Sequence, residues 1–101
     1  MAGIKIFIEY KVDPGKEDQF LQLIHELKTY YRDRGYSDYR VYQGVEQPDI
    51  YVEEFTVQSV EEYRDTKKER LETEQPFWKA LHDCVIGGAS KVHFWGFAEV
   101  E

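Results

Sequence analysis

The sequence is poor in cysteine, in basic charge and in long apolar runs, and each shortage excludes something. Cys84 is the single cysteine of 101 residues, so no intramolecular disulfide framework and no multi-cysteine metal site can form. No apolar run approaches the roughly 18 residues of a membrane span. The first strand-like segment begins at Gly3, which leaves no room for a basic n-region and an apolar h-region. The cytoplasm is therefore the expected compartment, with no membrane partner. Lys and Arg number 13 against 20 Asp and Glu, a net charge of −7. That balance argues against nucleic acid and anionic membranes as partners, because both need a basic patch to release counterions. The one basic cluster, Lys67, Lys68 and Arg70, is interleaved with Glu61, Glu62, Glu69, Glu72 and Glu74, the pattern of a solvated helix face. Three histidines, His25, His82 and His93, fall on three elements without H-x-x-x-H or H-x-H spacing, so no metal site is expected. A nucleophile elbow, a phosphate-cradling glycine loop and a dinucleotide fingerprint are all missing.

What is present is a single domain, residues 1–101, with 42% hydrophobic and 16% aromatic residues, eight of them tyrosines. Such side chains suit half-buried sheet faces, interfaces and pockets. Ile4, Ile6, Ile8 and Tyr10 alternate with Lys5, Phe7, Glu9 and Lys11, which predicts a strand over about 3–12. Asp13-Pro14-Gly15 breaks it and leads into a helix with Glu17 and Asp18 at the positive end of its dipole. Phe20, Leu21, Ile24, Leu27, Lys28 and Tyr31 then recur at helical spacing, and Gly35 stops the helix. Residues 37–43 and 50–57 read as an antiparallel hairpin turned by 44–49. Ser59 with Glu62 forms a capping box, so a second helix starts at Val60, although its apolar positions are sparse. Pro76 permits a fresh helical start carrying Phe77, Trp78, Leu81 and Val85, and Gly87-Gly88 ends it. A last strand spans about 90–99, with Val92, Phe94 and Ala98 facing one way and His93, Trp95 and Phe97 the other.

Counting the two later helical segments together, the order is βαββαβ, an α+β, ferredoxin-like antiparallel sheet with its helices on one face. The other face carries Phe7 and the alternate face of the last strand. Burial against a second copy is the simplest cover, so two sheets are expected to face each other in a homodimer, an α+β barrel.

The stretch from Gln75 to Phe97 holds both tryptophans, the cysteine and two histidines, so chemistry is sought there first. His82 lies one helical turn beyond Trp78, on about the same face, and is open to two readings: a ligand or general base in a pocket, or a histidine simply satisfied in the core. Cys84, about 200° around the helix from His82, cannot pair with it and reads as an inert buried thiol. His93, with Trp95 and Phe97, is placed to line either the pocket or the dimer interface, the aromatic company favouring the interface, and His25 sits at the edge of the packing stripe. Of Glu53 and Glu54, adjacent on a strand, one must point inward, where it either finds a partner such as Arg40 across the hairpin or carries a raised pKa, so a cross-strand ion pair is weighed against a catalytic acid.

With these elements in place the chain resembles the dimeric α+β barrel superfamily, in particular the antibiotic biosynthesis monooxygenase-like proteins. The resemblance runs over nearly the whole length. It is carried by the first strand with VDPGKEDQFLQLI, by EEFTVQSVEEY across the third strand and second helix, and by FWKALHDCV before the last strand. It implies a small-molecule-binding dimer, an enzyme if it is a cofactor-independent monooxygenase acting on an aromatic or conjugated substrate. Such a site needs an apolar cavity with one base, here His82 as the catalytic group, lined by Tyr10, Trp78 and Trp95. WKALHDCV also resembles the haem-degrading branch, which makes haem with His82 as axial ligand the alternative cofactor. That branch's tryptophan and asparagine have no counterpart here. A non-catalytic dimeric module is the third reading.

Overall fold

Strict alternation shapes the central strands. In a computed structural model describing residues 3–72 and 74–100, β1 (Ile4–Lys11) buries Ile4, Ile6, Ile8 and Tyr10 and turns Phe7 and Glu9 to the opposite face. α1 (Glu17–Asp33) follows a short 3-10 turn, Pro14–Lys16, which Asp13 caps by accepting from the Gly15 amide at 2.9 Å. Phe20, Ile24, Leu27 and Tyr31 form its buried stripe, whereas Leu21 stays 47% exposed at the stripe's edge. Gly35, with φ +93°, reverses the chain after α1.

β2 (Arg40–Gln43) is shorter than the spacing predicts. Residues 36–39 form a turn instead, closed by the Tyr39 amide on the Tyr36 carbonyl, and Asp38 spends its carboxylate on the Thr56 hydroxyl at 2.7 Å. β3 (Ile50–Val57) alternates in the same manner as β1 and pairs antiparallel with both β1 and β2. β4 (His93–Ala98) pairs with the other edge of β1, which sets the sheet order β2-β3-β1-β4 of the ferredoxin-like fold. It starts later than expected because Gly88–Lys91 coil into a 3-10 turn.

α2 (Val60–Arg70) starts at the predicted cap: the Ser59 hydroxyl accepts from the Glu62 amide, and Glu62 reaches back to the amide of Gln58. α2 carries few apolar residues, and tyrosine–carboxylate bonds help to seat it: Tyr36 donates to Glu62 at 2.7 Å and Tyr30 donates to Glu69. α3 (Pro76–Asp83) buries Trp78, Leu81 and His82. The segment after it is stitched to the end of β1 by Ile86 N–H to the Lys11 carbonyl and Asp13 N–H to the Cys84 carbonyl. The buried residues of helices and strands form one core on a single face of the sheet. Trp95 and Phe97 lie about half exposed on the other face. No helix among the described residues is long and apolar enough to cross a membrane.

Candidate functional site

Strand parity sends Glu53 into the helix-covered core, where it is fully buried between Ile8 and Val41 on the neighbouring strands. An ionised carboxylate there must be paired and hydrogen-bonded. Arg70, the last residue of α2, grips it with both terminal nitrogens, Nη1 to Oε1 at 2.7 Å and Nη2 to Oε2. Tyr39 donates to Oε1 at 2.7 Å and Tyr10 to Oε2 at 2.6 Å. Each carboxylate oxygen thus accepts one phenol and one guanidinium N–H, which leaves Glu53 no spare capacity for proton transfer. Burial, reinforced by the Glu53 charge, pushes the Tyr10 and Tyr39 hydroxyls far above the ordinary phenol range, so both remain donors.

This arrangement corrects two expectations. Arg70 does not belong to a solvated face: it is 2% exposed. The cation for the inward carboxylate is Arg70, since Arg40 is exposed and stands opposite Glu54, which instead pairs with Lys5 at 3.2 Å. The signal for Arg70 was its place seven residues beyond Tyr63, two turns along the same helix face. Dense surrounding charge hid it.

His82 is buried beside this cluster, its Nε2 3.0 Å from the Arg70 carbonyl. A carbonyl can only accept, so Nε2 carries the proton. Burial, and after it the neighbouring Arg70 charge, lowers the imidazole pKa, so the ring is neutral near neutrality and Nδ1 is a bare lone pair. Among the described residues, Nδ1 of His82 and Nε of Arg70 are both buried without a hydrogen-bond partner. One is a base and the other an N–H donor of fixed charge.

Trp78 is 3% exposed and packs under the Arg70 guanidinium, whose carbon lies 5.5 Å from the ring centre. It also lines, with Glu26, Tyr30, Arg34, Glu69, Gln75 and Phe77, a groove of 410 Å³. Tyr10, Trp78 and His82 therefore share one side of the sheet, connected through Glu53 and Arg70. Trp95 does not join them. It follows strand parity to the opposite face, 52% exposed, where it borders a shallow hollow with Phe7, Val52 and Phe97. Cys84 is buried, with burial raising its thiol pKa. His25 and His93 are exposed.

Haem does not fit this packing. His82 is 5% exposed with Nε2 committed to a backbone carbonyl, and it lines neither the groove over Trp78 nor the 320 Å³ hollow at Tyr10 and His93. Among the described residues no three His, Cys, Asp or Glu side chains are grouped so as to hold a metal ion.

No curated protein matches the chain significantly in sequence. Solved structures share its fold. A conserved protein from Methanosarcina mazei superposes with TM-score 0.76 at 20% identity, covering 99% of this chain and 95% of its own. A Bordetella bronchiseptica protein assigned by name to the antibiotic biosynthesis monooxygenases gives 0.74 at 16%, covering both chains completely. A further antibiotic biosynthesis monooxygenase gives 0.67 at 14%, covering 97% and 99%. Residues 3–67, from β1 into α2 and including Tyr10, Tyr39 and Glu53, match the sequence family described as antibiotic biosynthesis monooxygenase. The match takes in well over half of the sequence, and the chain belongs to that family.

Proposed function

We propose that the protein binds a small aromatic or conjugated molecule and oxygenates it without a cofactor, as a homodimer joined through the open faces of its sheets. One observation supports the reading: His82, neutral with a bare Nδ1, and Arg70, whose Nε–H has no partner among the described residues, are both buried and meet through the His82 Nε2–Arg70 carbonyl bond at 3.0 Å. His82 takes a proton from a phenolic or enolic group, and Arg70 Nε–H holds the resulting oxyanion in a dry setting where such a bond is strong. The electron-rich anion then reacts with dioxygen. For a phenol converted to a quinone, one oxygen atom enters the ring and the other leaves as water with the two hydrogens lost. A free buried thiol at Cys84 suits a reducing compartment such as the cytoplasm.

The test is oxygen uptake with a panel of hydroxylated aromatics. His82→Gln should lower kcat by about a hundredfold with its melting temperature kept, the ordinary scale of a lost general base. Turnover should rise with pH along a limb set by the depressed His82 pKa. Equal turnover by wild type and His82→Gln would overturn the assignment of the base.

A further inference from the structure

We propose that the hollow where β1 and β4 part is a separate ligand site, and that it takes an organic monocarboxylate.

Backbone builds the hollow. The ladder between the two strands ends at Glu9 opposite His93, yet β1 runs on to Lys11. There the Lys11 carbonyl accepts from the Ile86 amide at 2.8 Å, so the chain touches β1 at residue 86, turns away and returns at residue 93. The detour is braced: Gly88 N–H donates to the Val85 carbonyl and the Ser90 hydroxyl to the Gly87 carbonyl, each at 3.0 Å. Between this loop and β1 lies the hollow of 320 Å³. Tyr10 belongs to its lining with a hydroxyl already spent on Glu53, and the lining includes neither Trp78 nor His82.

Charge in the hollow runs opposite to that of the chain. Lys11 and Lys91 line it against the single carboxylate of Glu9, in a protein of net charge −7. Among the described residues the ion-paired lysines are Lys5 and Lys79, so both ammoniums here lack a carboxylate partner. Lys91 is held by packing and not by charge. Gly87 has φ +87°, and a Cβ there would lie 2.3 Å from Lys91 Cγ, so the absent side chain leaves the bed on which the lysine stem rests. Ile86, 48% exposed, supplies an apolar wall. A carboxylate placed between the ammoniums is attracted by both, and its apolar body covers Ile86. A cation would meet two like charges, and a dianion would bring a second negative charge against Glu9.

Benzoate and benzamide have nearly the same shape and differ in charge, so they are the probes, titrated into the whole protein and followed by two-dimensional amide NMR. Benzoate should shift the amides of residues 86–93 saturably, and benzamide should bind at least about tenfold more weakly. Lys11→Gln and Lys91→Gln, both at exposed positions, should each weaken benzoate about fivefold, the scale of one solvent-facing ion pair. Glu9→Gln should tighten it. Gly87→Ala keeps every charge and should weaken benzoate about as much as Lys91→Gln does, because the added methyl displaces the stem. Equal affinity for the two probes overturns the proposal, as does the absence of a saturable shift. So does benzoate affinity unmoved by both lysine substitutions, or weakened equally by Lys68→Gln on the outer surface of α2, which would mark a general charge effect. His82→Gln should bind benzoate as the wild type does, whatever its effect on oxygen uptake. Loss of binding in that variant would put the carboxylate on the Trp78 side of the sheet and remove the site proposed here.

Discussion

Glu53 and Arg70 form a pair whose cost is concealed while both members are present. Removing two charges from water is expensive, and the bidentate grip plus two phenol donors is what offsets it. Glu53→Gln keeps the shape and removes the charge, leaving the Arg70 guanidinium buried without its counter-ion. Urea unfolding should then show a loss of about 3–5 kcal/mol. Tyr39→Phe removes one bond to a charged acceptor and should cost roughly 1.5–3 kcal/mol. Replacing both charges, Glu53→Leu with Arg70→Met, together with Tyr10→Phe and Tyr39→Phe so that no buried phenol loses its acceptor, should recover most of the loss from Glu53→Gln, because an apolar cluster removes the stranded charge. A loss below about 1 kcal/mol in Glu53→Gln would mean that water reaches the pair. His82 adds a pH dependence of known sign. Its folded pKa lies below the unfolded value of about 6.5, so the fold favours the neutral ring. The unfolded chain therefore takes up the proton first as pH falls. Stability should be constant above about pH 7 and decline as pH drops through 6.5 toward the folded pKa. His82→Gln, whose side-chain amide can still donate to the Arg70 carbonyl, should lose that slope when unfolding free energies at pH 7.5 and pH 5.5 are compared.

At the scale of elements, α2 shows why a helix of poor apolar content docks at all. Its cap follows the S-x-x-E signal, but a capped helix of eleven residues is marginal without tertiary support. Support comes from Tyr63 against Phe94, from the two tyrosine–carboxylate bonds and from Arg70 reaching under the helix to Glu53. Ser59→Ala should cost about 1 kcal/mol by urea unfolding. Joint replacement of Tyr30 and Tyr36 by Phe should speed amide hydrogen exchange across α2 and leave β1 protected, since local opening follows the loss of local tethers. If α2 and β1 respond equally, the tethers act on the whole fold and not on one helix. The elements themselves were legible from period and punctuation: the alternation of Ile4 to Tyr10, the stripe from Phe20 to Tyr31, the stop at Gly35. What period could not show was a polar core. Parity placed one of Glu53 and Glu54 inside, but the partner lay in a stretch where Arg70 looks like its neighbours Lys67, Lys68 and Glu69, and a long side chain folding inward leaves no trace in a charge pattern.

For the whole molecule, the two faces of the sheet set two different problems. Helices cover one of them. The other exposes Trp95, Phe97 and Tyr42 at roughly half their surface, with Phe7 meeting Phe97 at 5.7 Å and Trp95 meeting Phe97 at 6.0 Å. The alternation of His93, Trp95 and Phe97 already marked this as a separate surface. Grouping Trp95 with the Trp78 side followed its chemistry and ignored its parity, and parity prevails in a paired strand because a one-residue slip would carry Phe94 out of the core. An aromatic patch on a chain of net charge −7 suits a partner that supplies an apolar surface, and in the proposed homodimer a second copy of the same sheet would supply it with two-fold symmetry. Sedimentation equilibrium should give twice the mass of one chain for the wild type. Trp95→Glu with Phe97→Glu should give a single chain, because like charges would then face each other across the dyad in place of rings. Both side chains point away from the core, so the double variant should keep its far-ultraviolet circular dichroism. A wild type that sediments as one chain at micromolar concentration would leave the aromatic face without its proposed partner.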